Sequence, residues 1–513
     1  MAAALAPHQS RPARDAARAL ERGGPAAGQG RVQEGARAEG QDSARGVVQL
    51  SSLPVETVLR DHMRAVGDLL IRERGSGVDM LEGDRDRWVR SSDGIFRPEK
   101  PRHPNLEWFR YKDRSDHLPT FAPLVEAIRA DPILNPQLEA MIGAGGGATR
   151  FDVDRLVLVM LRALIDTDRA ALEFREDRFK SRWEAIARDL YADTLNGVTV
   201  VLLPGLTVPG GLPVDLAPSF EITTLTDSEV TRSVDSGLLV PWLTPLIRDS
   251  EAGAVRHTRR LPKEINATLD LSIDEGTFGQ RPLLSTYLLA DDVLLVFRLL
   301  RAGRLRSPGV IQYIDSWLLE GNINFYHRAT RSSDRGEFAL AASDIHELRA
   351  VWTALTSSPR QAKRFVAASA RRFNMASDRY SIEDSLVDLM IASESLFLSD
   401  AAAPADRGEL GFRLAQRAAL FVDWSEYSRR EIFDLVTTAY RLRNTIVHGE
   451  RLGGKEVQLP RQGAVSISVF RDAVEELMRR AIRKALNEVA TVRNFGDREY
   501  WLARLFPSAT PLT

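Results

Sequence analysis

Residues 439–451 read AYRLRNTIVHGER, two arginines, an asparagine and a histidine within eight residues, closed by a glycine. Upstream, 425–438 keeps an apolar helical period, so the spacing predicts one long helix over 425–448. Asp423 or Ser425 is its expected cap and Gly449 its stop. On that helix Arg441, Asn444 and His448 fall at i, i+3 and i+7 and share a face. Arg443 stands five residues before His448, roughly 140° around at ~100° per residue. The two could still converge if the helix ends early, if the arginine arm bends back, or if two chains meet. Cationic residues at a helix C-terminus are also favoured by the macrodipole alone, so spacing by itself leaves a plain helix end open.

Working outward, 344–356, 361–376, 380–398, 410–422 and 465–492 carry the same apolar period, with a loop at 401–406 around Pro404. Short links between several such helices imply a bundle over 340–505. Within it, RNTIVH matches the Arg-polar-x-x-x-His pattern of the HEPN superfamily of all-helical domains. The segments DLMIASESLFLS (388–399), GELGFRLAQRAALFV (408–422) and EIFDLVTTAYRLRNTIVHG (431–449), with the final helix, resemble the Apea-like HEPN branch. VTVVLLPGL (198–206) and FEITTLTDSEV (220–230) are similar to regions that precede this domain in such proteins.

The resemblance implies a metal-independent endoribonuclease working as a homodimer, with Arg443, His448 and Asn444 as the motif residues and no cofactor. It also suggests an anti-phage or toxin-like role, with the N-terminal two-thirds sensing a trigger such as a regulatory ligand or phage component. The chemistry suits those residue types. RNA supplies its own nucleophile in the 2′-OH, and histidine titrates near neutrality and can move that proton. A guanidinium can hold the phosphate and stabilise charge developing on it. Arg441, Arg413 and Arg417 are further candidates for an RNA cleft. Arg413 and Arg417 could equally pair with Glu394, Asp388 or Glu409, the favoured reading for Arg417. Tyr440 could stack on a base but more simply fills the bundle. Arg479, Arg480, Arg483 and Lys484 read as a solvated face shared with Glu475, Glu476 and Glu488 before they read as a phosphate patch. The alternative to catalysis is a non-catalytic RNA-binding or protein-interaction and dimerisation module.

Ahead of the bundle, residues 1–50 are rich in Ala, Gly, Arg and Gln and read as a disordered tail. Residues 51–194 read as mainly helical: an apolar period over 53–70, a long polar loop at 85–117, a helix at 133–142 ended by glycines, and helices at 152–165 and 171–190. At Gly197 the composition shifts. Strands are expected at 198–203, 220–225, 267–273 and 310–314, a helix start at 226–230, and either strand or helix at 288–301. The expected class is therefore α+β and mainly helical: a helical N-terminal part, a mixed α/β middle domain over 195–335 and the C-terminal bundle.

Composition narrows the function classes. The chain has 513 residues, 69 Lys+Arg against 70 Asp+Glu, and no cysteine. Balanced charge gives no global field to attract nucleic acid, so RNA must meet a local patch. Without cysteine there is no disulfide, thiolate metal site or cysteine nucleophile. No apolar run approaches the ~20 residues of a spanning helix, and the N-terminus lacks an apolar signal core. The expectation is a cytoplasmic protein with no membrane partner. The glycine-rich GAGGGAT (143–149) lacks the Gly-Lys-Ser/Thr ending of a phosphate loop and reads as a linker. Asp152 with Asp154 reads as a helix cap, Asp291–Asp292 lacks nuclease-core partners, and the other histidines show no ligand spacing.

Overall fold

The computed structural model describes residues 54–75, 87–92, 96–99, 113–144, 147–165, 174–208, 213–230, 253–265, 286–303, 305–319, 323–327, 338–356, 364–399, 409–450, 452, 456–488, 495 and 497–506. The chain is mixed α/β and mainly helical. Residues 51–513 form one compact unit. The tail at 1–50, the strand expected at 267–273 and the loop at 401–406 lie outside the described residues.

The first part holds α1 (Pro54–Gly75), the hairpin β1 (Arg87–Arg90) and β2 (Phe96–Glu99), α2 (Phe121–Ala130), the hairpin β3 (Met141–Ala144) and β4 (Gly147–Arg150), α3 (Val153–Ile165) and α4 (Glu176–Tyr191). Two expectations are corrected here. The stretch 85–117 is not all loop, because β1 and β2 pair antiparallel with Pro98 opposite Trp88. A two-stranded ribbon has outer edges that tolerate a proline. The helix expected at 133–142 is a single 3-10 turn at Asn135–Gln137 followed by β3. The Asp131 carboxylate accepts from the Ile133 and Leu134 amides, both at 2.9 Å, and Glu139 takes a positive φ of 62°. Gly143 then belongs to β3 and Gly147 to β4.

A six-stranded antiparallel sheet follows, built from β5 (Thr194–Leu203), β7 (Val214–Ala217), β8 (Phe220–Thr224), β9 (Gly253–Pro262), β11 (Gly309–Asp315) and β12 (Ile323–His327). Its order is β12-β11-β5-β9-β8-β7. Short pairings flank it: β6 (Leu206–Thr207) runs parallel to β13 (Phe338–Ala339), and β10 (Glu264–Ile265) joins β3. β5 is central because its run from Val198 to Leu203 is buried at every position, as a strand covered on both faces requires. The helix start at 226–230 is reciprocally capped: Thr226 Oγ1 accepts from the Glu229 amide and Glu229 accepts from the Thr226 amide. Fully buried Glu229 also takes two hydrogen bonds from Arg256, at 2.9 and 2.8 Å, and one from the Tyr313 hydroxyl at 2.9 Å. That network fastens the helix start to β9 and β11.

Residues 288–301, open to either reading from sequence, are helical as α5 (Thr286–Leu300). From Val293 to Leu300 every residue is buried, because α5 lies between the sheet and the C-terminal helices. Those helices are α6 (Asp344–Thr356), α7 (Arg364–Ser377), α8 (Ile382–Phe397), α9 (Leu410–Phe421), α10 (Arg429–Val447), α11 (Ile467–Asn487) and α12 (Arg498–Leu505). A hairpin of β14 (Glu456–Leu459) and β15 (Gly463–Ser466), not foreseen from sequence, separates α10 from α11.

One apolar core runs from Val201, Leu203 and Val255 on the sheet, through Val293 and Phe297 on α5, to Leu389, Leu435 and Ile482 in the bundle. Arg298, 2% exposed, ties the layers together. Its guanidinium donates to the Asn374 carbonyl at 2.8 Å and Oδ1 at 2.6 Å, to the Leu305 carbonyl at 3.2 Å, and to Asp378. The Arg298 carbonyl accepts in turn from Arg479 Nε at 2.7 Å. A segment assigned from sequence to the middle domain thus supplies core to the bundle.

Candidate functional site

α10 starts at Arg429, four residues later than expected, and neither expected cap is used. Ser428 caps it in a box with Glu431: the Ser428 side chain accepts from the Glu431 amide, and the Glu431 carboxylate accepts from the Ser428 amide. Asp423 instead pairs with Lys484 and Ser425 bonds Glu426. Arg461, from the turn of the β14–β15 hairpin, adds two hydrogen bonds to Glu431, at 2.8 and 3.1 Å. These bonds hold the Glu431 carboxyl down to about 2.

The other end of α10 closes as expected. The Gly449 amide donates to the Ile446 carbonyl at 2.9 Å and the Glu450 amide to the Thr445 carbonyl at 3.2 Å, with Gly449 at φ +89°. This is the Schellman closure, in which the residue after the cap must be left-handed. It makes His448 the C-cap residue, with its backbone bonded to Asn444 at 3.0 Å and its ring exposed. Among the described residues the His448 imidazole makes no hydrogen bond or ion pair.

Arg443 turns the other way. It is half-buried against α8: Nη1 donates to Asn444 Oδ1 at 3.0 Å and Nη2 lies 3.6 Å from Glu394 Oε2. Its Nε is buried without a hydrogen-bond partner among the described residues. The guanidinium stands 6.0 Å from the Tyr440 ring. Burial pushes the Glu394 carboxyl above the usual carboxylate range, and the Arg443 charge only partly offsets this. Tyr440 fills the α9–α10 contact, where a Cβ on Gly411 would come within 2.8 Å of its ring. The structure therefore brings Arg443 and Asn444 together and presents His448 on the same helix end, with no hydrogen bond between Arg443 and His448 in one chain. Arg441 is exposed and donates to Thr438 Oγ1 at 3.3 Å.

One further expectation changes. Arg417 is not available to a cleft: it is 4% exposed, donates to the Phe397 carbonyl at 2.7 Å and lies 4.9 Å from the Trp501 ring. It packs the α9 core, as a residue one turn from Phe421 does. Arg413 is half-buried one turn earlier. Of the carboxylates offered as their partners, Glu394 faces Arg443, and Asp388 pairs with Arg372 at 3.1 Å and Arg379 at 2.5 Å. The basic run of α11 is largely paired rather than open. Arg479 is buried on Glu475 and Glu476, Arg480 lies 2.7 Å from Glu476, and Arg483 meets Glu347. Arg480, Arg483 and Lys484 rim a cavity of about 380 Å³ together with three acids, Asp423, Glu476 and Glu488.

Glu394 is the site residue that sequence reasoning missed in this role. Its segment was singled out, but nothing in the spacing points it at Arg443, 49 positions away.

No protein-family model matches the chain. No curated protein and no solved structure matches it either.

Proposed function

We propose that this protein is a metal-independent endoribonuclease whose site is completed when two copies meet at the ends of their α10 helices. The observation that supports this reading is the contrast at that end: His448 is exposed on the cap, while Arg443 is half-buried and, among the described residues, has one hydrogen bond and an orphaned Nε. A guanidinium with most of its donors unused is suited to a phosphate, which can take two of them side by side.

In this reading His448 removes the proton of the 2′-OH. The 2′-oxygen bonds to phosphorus as the bond to the 5′-oxygen breaks, and a proton is delivered to that leaving oxygen. The products carry a 2′,3′-cyclic phosphate and a 5′-hydroxyl. Arg443 holds the phosphate as charge grows on its oxygens, and Asn444 Oδ1 orients the guanidinium. Arg441 and Arg413 would contact flanking phosphates. A defence role in the cytoplasm, with residues 51–335 restraining or triggering the nuclease, belongs to the same proposal.

The test is cleavage of mixed cellular RNA in the presence of EDTA. Wild type should cleave and leave cyclic phosphate ends, and His448→Ala and Arg443→Ala should each lose at least about 100-fold. RNA binding without cleavage, weakened by Arg443→Ala, would leave a phosphate-binding module in place of an enzyme.

A further inference from the structure

We infer that Glu394 is a built-in competitor for the phosphate site, a carboxylate that occupies the Arg443 guanidinium until a ligand phosphate displaces it. The inference rests on the reading above, in that it takes Arg443 as the group that meets RNA phosphate.

Glu394 sits in the last turn of α8, and Arg443 in the last turns of α10. Both side chains are 26% exposed, so water screens the pair only in part. At 3.6 Å the carboxylate is too far for a hydrogen bond to Nη2, yet near enough to neutralise it. Asn444 supplies the single hydrogen bond, and Nε has none among the described residues. Two more deeply buried arginines of the chain are satisfied differently. Arg256 makes five side-chain hydrogen bonds, and Arg479 takes both Glu475 and Glu476 as well as a carbonyl. The Arg443–Glu394 pair, at 3.6 Å, is looser than either of these.

A phosphate oxygen hydrogen-bonded to the Arg443 guanidinium would lie beside the Glu394 carboxylate. Two anions would then share one cation, and each weakens the hold of the other. The carboxylate lowers the affinity of the free site for any singly charged diester. An RNA able to engage further cations on the same surface, Arg441 among them, can still win the exchange. Glu394 thereby selects for ligands with several phosphates in a row over isolated anions.

The experiment measures binding, so it does not depend on catalysis. Affinity of the full chain for a 2′-O-methylated oligoribonucleotide, which cannot be cleaved, is compared among wild type, Glu394→Gln, Arg443→Ala and the double variant at low salt. Glutamine keeps the size and removes the charge, and thermal melting verifies the fold. Glu394→Gln should bind about three- to tenfold tighter than wild type. The gain should vanish in the double variant and shrink at high salt. Glu394→Asp, which draws the charge back by one methylene, should fall between wild type and Glu394→Gln, and it carries the test if the glutamine variant does not fold. A folded Glu394→Gln protein with unchanged or weaker affinity overturns the inference. If Arg443→Ala still weakens binding, the phosphate role of Arg443 survives that failure. If Arg443→Ala binds as wild type does, or no variant binds, the underlying reading fails and the inference with it.

Discussion

Gly449 and Ser428 fix the two ends of α10, each by a property of a single residue. At φ +89° an alanine would be strained although no atom lies within 4 Å of its Cβ. Gly449→Ala should therefore cost about 1 kcal/mol, and Gly449→Asn less, in denaturant unfolding. Ser428→Ala removes the bond to the Glu431 amide and should cost about 1 kcal/mol in the same measurement. The glycine stop was plain in the sequence. The cap was legible too, since Ser428 and Glu431 stand in the S-x-x-E spacing, yet Asp423 and Ser425 lie closer to the preceding helix and drew the boundary too early. Glu394 was not legible in its role, because an ion pair between two helices depends on how they cross, which no spacing within either helix encodes.

At the scale of elements, the helices of the bundle were readable because each buries one face, and α6 matches its expected bounds from Asp344 to Thr356. The sheet was readable only in its apolar members. β9 reads GAVRHTRRLP, and its Arg256 and His257 look like surface until Glu221, Glu229 and Phe220 are seen against them. Those partners lie on β8 and on a helix start. The α9–α10 contact depends on Gly411 meeting the Tyr440 ring. Gly411→Val would push its side chain into that ring and should cost about 1–3 kcal/mol, read as a lower melting temperature. No change in melting would mean that α9 moves aside freely.

Across the whole molecule, one buried and one half-buried histidine make stability depend on pH. His62 is fully buried between Thr120 Oγ1 at 2.9 Å and Ser115 Oγ at 3.3 Å, and burial lowers it to about 4. His257 stacks on Phe220 at 4.0 Å and is also lowered to about 4, by burial and then by Arg259. An unfolded chain protonates histidine near 6.5, so between about 6.5 and 4 the unfolded state binds more protons. Stability should be level above pH 6.5 and fall as pH drops from there toward 4. Melting temperatures at pH 7.5, 6.5, 5.5 and 5.0 would reveal the slope, and a flat profile would count against both assignments. Arg298→Ala removes the guanidinium that bridges α5 to α7 and should cost roughly 3 kcal/mol. Sheet and bundle should still melt in one transition, because they share their core.

That shared core bears on how the protein can be divided. A gene fragment beginning at 340 would encode every helix from α6 to α12, and would leave its protein without the apolar faces of Val293, Phe297 and Phe338. The faces of α6, α7 and α11 that pack on α5 would be bared to water, and Arg479 would lose the carbonyl it rests on. A recombination break at that point would pass on a reading frame but not a folding unit.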